Sequence, residues 1–103
     1  MIITTTDTIP GYKIKKVLGI VQGNVVQARW FGRDIAAGLR NIVGGEVKSY
    51  SELLINTRIL AVERMKEEAK KLGADAIVNV RFATVDIMQG SAEVLAYGTA
   101  VKL

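Results

Sequence analysis

The chain of 103 residues contains no cysteine and no histidine. Those two absences exclude more chemistry than any residue present suggests. Without thiols there are no disulfides and no thiolate nucleophile. Without imidazole there is no triad built on His and no zinc site of the Cys/His type. Proline occurs once, and no low-complexity tract, internal repeat or linker-like break in composition is present. No apolar run approaches the roughly 18 residues of a membrane span. The first ten residues lack the basic and apolar regions of a signal peptide. A cytoplasmic address is therefore expected, which a cysteine-free chain fits.

What is present is a globular composition, 50% hydrophobic and 23% charged, of a length that suits one domain over residues 1–103. The net charge of +4 is unevenly spread. The first 40 residues carry Lys13, Lys15, Lys16, Arg29, Arg33 and Arg40 against Asp7 and Asp34, and the rest of the chain is balanced. Such an excess suits nucleic acid or another anionic partner. Alternatively, the lysines guard a strand edge against aggregation, and the edge reading is preferred because a phosphate-tracking site needs a larger cluster.

Residues 12–31 read as a long strand, with Tyr12, Ile14, Leu18 and Ile20 on one face and lysines on the other. Gly19 and Gly23 suggest a bend within it. Residues 33–43 read as a short helix ended by Gly44-Gly45. A second helix is expected over 51–72. It starts from a capping box at Ser49 and Glu52, has an apolar stripe through Ile55, Ile59, Val62, Met65 or Lys66, Ala69 and Leu72, and stops at Gly73. Arg64–Glu68 and Glu67–Lys71 have the spacing of exposed ion pairs.

Residues 76–88 and 92–103 read as a hairpin closed by Gln89-Gly90-Ser91. Through that turn, Val78, Val80 and Phe82 would share a face with Leu95, Tyr97 and Val101, while Ala83, Val85, Val94, Ala96 and Ala100 take the other. Both faces are apolar, whereas a half-exposed antiparallel sheet alternates apolar with polar. One long helix covers one face, so the other needs the short helix or a second subunit. The last strand, the most uniformly apolar, belongs in the centre. The expected class is α+β, a two-layer domain in which an antiparallel sheet of the long strand and the hairpin packs on one long helix, with an additional short helix.

Six strings occur in order along nearly the whole chain: Gly11-Tyr12-Lys13-Ile14, Val17-Leu18-Gly19-Ile20-Val21, Gly44-Gly45-Glu46 followed by Tyr50, Arg58 with Arg64-Met65, Leu72-Gly73-Ala74-Asp75-Ala76-Ile77, and Glu93-Val94-Leu95-Ala96-Tyr97-Gly98-Thr99-Ala100-Val101. Together they resemble the YbjQ-like family of small bacterial and archaeal proteins. The resemblance implies a subunit similar to the dodecin fold with strand order 1-3-2, assembly as a homopentamer, and the family's label of heavy-metal binding. The side chains speak against a soft metal, which takes thiolate or imidazole. The sulfur ligands are Met1, Met65 and Met88, scattered along the chain, and Met65 reads as helix core.

Several residues are candidates for a ligand. Gly44, Gly45 and Glu46 form a loop whose backbone amides can approach an anion, or else a helix cap and turn. Arg33, Tyr50, Arg58 and Arg64 are candidates to line an anion site at a subunit junction, because Arg58 and Arg64 stand about 120° apart around a helix and need not meet within one subunit. The alternative gives each arginine a carboxylate such as Glu46 or Glu52 across an interface. Asp86 and Glu93, read on one face near the hairpin tip, are weak candidates for a hard cation. Trp30-Phe31 with Arg29 and Arg33 could stack on bases, or pack as core. No pair of side chains carries a catalytic mechanism, so the expected role is non-enzymatic and without a cofactor: a homo-oligomeric ligand-binding or structural module, with a metal-binding protein and a weakly nucleic-acid-binding protein as alternatives.

Overall fold

In a computed structural model the protein is described over residues 1–28, 45–88 and 91–103. The short helix expected over 33–43, the Trp30-Phe31 pair and the turn residues Gln89 and Gly90 lie outside the described residues. Among those residues the elements are β1 (Ile2–Ile3), β2 (Lys16–Ala28), α1 (Gly45–Lys71), β3 (Ala76–Met88) and β4 (Ser91–Lys102). The class is α+β, with one layer of sheet and one of helix.

The sheet order is β1-β3-β4-β2. β4 is central and antiparallel to both β2 and β3, as its uniform apolarity predicts. The expected three-stranded antiparallel sheet is corrected in one respect. The N-terminal Ile2 and Ile3 add a fourth strand parallel to β3, opposite Ala76 and Ile77, so the sheet is mixed. The pairing arises because Thr4 donates its amide to the Ile77 carbonyl at 3.0 Å and accepts from Val80 at 3.0 Å. The long strand also begins later than expected, at Lys16. Residues 12–15 lie outside it, so Lys13 and Lys15 flank the edge strand rather than guard it.

The helix starts at Gly45, upstream of the expected capping box, so Ser49 and Glu52 are interior positions of α1. Glycine is tolerated at a helix start. Its 27 residues span about 40 Å. Its C-terminus matches expectation. Gly73 has φ 76°, and the amides of Gly73 and Ala74 donate to the carbonyls of Lys70 and Ala69 at 2.9 and 3.1 Å, the paired bonds of a Schellman cap. The ion pairs on its surface are Glu63–Lys66, Glu67–Lys70 and Glu68–Lys71, at i,i+3 rather than i,i+4 spacing.

The buried stripe of α1 is Thr57, Ala61, Met65 and Ala69, one residue per turn. It seats on Val21 and Val25 of β2 and on Val94, Ala96 and Ala100 of β4. Small residues permit close approach. A methyl group at Gly23 would overlap the Ala61 carbonyl oxygen and the Met65 amide nitrogen, so only glycine fits under the helix there. Half the expected apolar stripe is exposed: Ile55 and Ile59 on a helix that lies over β2 and β4 and leaves β3 nearly uncovered, and Leu72 just past the helix end beside the β2 edge.

The hairpin faces are also corrected. Asn79 adopts φ 55°, and the register between β3 and β4 slips between Val78 and Arg81. Asn79 and Val80 together oppose Gly98, a β-bulge that a short polar side chain in the left-handed region permits. Beyond the bulge every side chain changes face. Val80 and Phe82 therefore lie on the helix side, and Ala83 and Val85 on the far side with Leu95 and Glu93.

Candidate functional site

The outer strand β2 is an edge, and one backbone contact fixes which of its groups point outward. The Asn24 carbonyl accepts from Nη1 of Arg64 at 2.7 Å, so it faces away from β4. In an antiparallel ladder the amide and carbonyl of one residue point the same way and alternate along the strand. Ile20, Gln22, Asn24 and Val26 therefore direct their backbone groups outward, and their side chains are exposed on the far face. Beside this edge lies a cavity of about 600 Å³ bounded by Ile20, Gln22 and Asn24 of β2, Glu68 and Lys71 of α1, and Leu72 just after it.

Arg58 lies over the opposite edge. With Ile59, Val62 and Glu63 it lines an apolar groove of about 190 Å³ whose floor is Phe82 of β3. Phe82 reaches this groove because the bulge at Asn79 turns it toward the helix side, where α1 does not cover it. Among the described residues Arg58 makes no ion pair or hydrogen bond. The two helix arginines are therefore apart within one chain, as their angular spacing predicts: Arg64 over β2, Arg58 over β3.

The other candidates fall as follows. Arg33 and Gly44 lie outside the described residues. Gly45, Glu46 and Tyr50 lie in the first turns of α1, so the expected glycine loop is, from Gly45 onward, helix. The ladder pairs Val85 with Glu93 and Asp86 with Ala92, so the two acidic residues stand on consecutive rungs of the hairpin. Missed by the sequence reading was Arg81, whose Nη1 donates to the carbonyls of Thr5 and Val80, each at 2.9 Å, and ties the N-terminal segment to the bulge. Asn79 is its sequence signal, a residue that tolerates positive φ.

A family model described as "Putative heavy-metal-binding" matches residues 1–103. The chain belongs to that family. Full-length relatives of the YbjQ-like family agree. A UPF0145 protein of Thermosipho melanesiensis is 60% identical over 103 residues, covering 100% of this chain and 95% of that one. A UPF0145 protein of Archaeoglobus fulgidus is 58% identical, with the same coverage. A crystal structure of a protein of unknown function of the DUF74 family, from Pediococcus pentosaceus, aligns with TM-score 0.65 and 20% identity, covering 100% of this chain and 97% of that chain. That likeness concerns the fold alone.

The residues do not fit the heavy metal of the family's description. The chain offers no thiolate and no imidazole. Among the described residues, no group of three His, Cys, Asp or Glu side chains comes together. Met65 is sealed in the core between α1 and the sheet. Among the described residues, no helix is long and apolar enough to cross a membrane.

Proposed function

We propose that the chain is a cytoplasmic, non-enzymatic homo-oligomeric module, pentameric as the family resemblance implies, that holds an anionic ligand at the junctions between copies. The observation that carries the reading is the separation of Arg58 and Arg64. The two lie over opposite edges of one subunit, Arg58 in the groove over Phe82 and Arg64 on the Asn24 carbonyl at the β2 edge, so on this reading a neighbouring copy brings one arginine toward the other. The exposed apolar surface supports the same reading. Ile20 is 80% exposed, Ile59 56% and Phe82 50%, on the two sides of the cavities just described. Apolar patches rimmed by charge mark interaction surfaces more often than solvated ones. Arg33, Glu46 and Tyr50 remain further candidates to line the junction, by their place in the sequence.

Light scattering on untagged protein should give about five times the 11.2 kDa of one chain. Native mass spectrometry of the same particle should retain a small anion, and Arg58→Ala should lose it while keeping the particle's mass. A single-chain mass in solution overturns the reading.

A further inference from the structure

Among the described residues the outer edge of β2 is unusually unprotected. It is 13 residues long, its charge is confined to Lys16 at the first position, and it contains no proline. Natural sheets blunt such edges with charge, proline, bulges or a cover, because a bare row of amides and carbonyls templates the pairing of another chain. Here the bulge near Gly19 distorts only the start of the strand. From Ile20 to Val26 the register with β4 is regular. Arg64 occupies one outward carbonyl, at Asn24. Among the described residues the outward groups of Ile20, Gln22 and Val26 have no partner.

Among the described residues the opposite edge of the same sheet is open as well. β1 pairs only with Ala76 and Ile77, and the segment after it reaches no further than Val80. The outward parity of β3 follows from two contacts. The Ile77 carbonyl and the Val80 amide both face the N-terminal segment. Beyond the bulge, Ala83 opposes Leu95, and Leu95 opposes the outward-facing Asn24 of β2, so Leu95 and Ala83 bond to each other. Phe82 and Thr84 are then the residues whose backbone groups face away from the sheet.

We infer that the free edge of β2 is a strand-addition site for a second copy of this chain, filled by the free edge of that copy's β3 around Phe82 and Thr84. The inference rests on the homo-oligomer reading and names its interface. β2 and β3 are both antiparallel to β4 and hence parallel to each other. Copies related by rotation can therefore join these edges head to tail and continue one sheet around a closed ring. Pairing β2 with β2 across a two-fold axis would leave the β3 edge and the groove of Ile59 and Phe82 uncovered, whereas head-to-tail addition covers both at once. It also puts the Phe82 ring on the helix side of the added strand, where the 600 Å³ cavity beneath Leu72 is open to receive it. Charged side chains flank both edges, Glu68 and Lys71 on the β2 side and Arg58 and Glu63 on the β3 side, and of these Arg58 makes no ion pair among the described residues. Strand addition of this kind takes its affinity from main-chain bonds and its selectivity from the side-chain pockets alongside.

Residue-resolved hydrogen exchange on the assembled wild-type protein, with its mass checked by light scattering in the same buffer, tests this without knowledge of the intersubunit register. A free edge gives an alternating pattern, in which Gln22 and Val26 exchange on the order of 100-fold faster than Val21, Gly23 and Val25, which bond to β4. The inference expects no alternation: Gln22, Val26, Phe82 and Thr84 exchange within about tenfold of their inward neighbours. An oligomer that keeps fast exchange at both edges overturns the inference and leaves the homo-oligomer reading standing. An oligomer protected at β2 alone overturns it in favour of two-fold pairing. A monomer overturns both. As a second measurement, Gln22→Lys combined with Val26→Lys charges an edge that is already exposed in one chain. The variant should fall to single-chain mass with its circular dichroism unchanged, and an unchanged oligomer counts against the inference.

Discussion

The two ends of the sheet solve the same problem differently. At one end lie the start of β3, the close of β4 and the C-terminus of α1. There Ala76, Ile77, Val78 and Val101 are all buried. Ile77 packs beneath the helix side, while Ile2, Ile9, Ile14 and Leu103 cover Ala76, Val78 and Val101 from the far side. The chain supplies both covers itself, because its N-terminal segment folds across the face that the helix cannot reach. At the other end the same apolar pattern continues through Val26, Phe82 and Val85, and these side chains are exposed, as are Ile55 and Ile59 on the helix above. A hairpin apolar on both faces is therefore a demand for two covers. Within one chain that demand is met for β3 and β4 at one end and left open at the other, while on β2 Val17 and Ile20 stay exposed even beside the covered end. The need for a partner therefore runs along β2 and over the far part of β3.

The sharpest way to break this comparison is to cut matching side chains at each end. Ile77 is fully buried, so Ile77→Ala should cost about 3 kcal/mol or more in urea unfolding, at every protein concentration. Ile59 is more than half exposed, so Ile59→Ser should move the stability of the separated chain by no more than about 0.5 kcal/mol. Its effect should appear instead in concentration dependence. An assembling wild type unfolds later as protein concentration rises, and Ile59→Ser should flatten that rise. Equal losses for the two variants at high dilution would mean that the ends are alike, and the comparison would fail.

A somewhat smaller effect tests the seat of the helix, which both ends share. Gly23→Ala places a methyl against backbone atoms of Ala61 and Met65, which no side-chain rotation relieves. Overpacking of this kind costs about 1–3 kcal/mol. The loss should come with retained secondary structure and a shifted thermal midpoint. A neutral result would mean that α1 rides higher over β2 than its buried stripe implies.

The covered end was largely legible in the sequence. The Gly73 cap, the limits of the hairpin strands and the central place of β4 follow from turn chemistry and apolar pattern, both of which are local. The open end was not, for two physical reasons. One left-handed residue, Asn79, inserts a bulge, and a register slip exchanges the faces of everything beyond it, so Phe82 moved from the far side to the helix side. The helix stripe was misjudged because apolar spacing reports which residues avoid water, without saying whether the cover comes from the same chain. Ile55 and Ile59 keep the spacing of a core face, yet the helix lies over β2 and β4, where the small residues Gly23, Ala96 and Ala100 let it settle. The arginines illustrate the limit of such reading. Their angular spacing correctly separates Arg58 from Arg64, but only the backbone register shows that they lie over two different sheet edges.

The smallest expected effect belongs to the covered end and is electrostatic. The Asp75 carboxylate accepts the Leu103 amide at 2.9 Å and faces Lys102 Nζ at 3.4 Å, closing the last strand against the loop after α1. That backbone hydrogen bond is the largest influence and holds its pKa below the ordinary 3.8; desolvation pushes the other way, and the Lys102 hydrogen bond with the Lys102 and Lys15 charges adds to the lowering. The folded state thus favours the ionised form. The resulting stability is fully present above pH 3.8, and it is lost as the pH falls below 3.8 through the lowered folded value. Asp75→Asn keeps an oxygen for the Leu103 amide and removes the attraction to both lysines. The variant should be slightly less stable than wild type at pH 7, the gap closing as the pH drops under 3.8 and narrowing in high salt, because exposed pairs are screened. Since the β2 and β3 edges lie away from Asp75, the particle's mass should not change. A variant that also dissociates would tie this end to the interface and erase the distinction between the two.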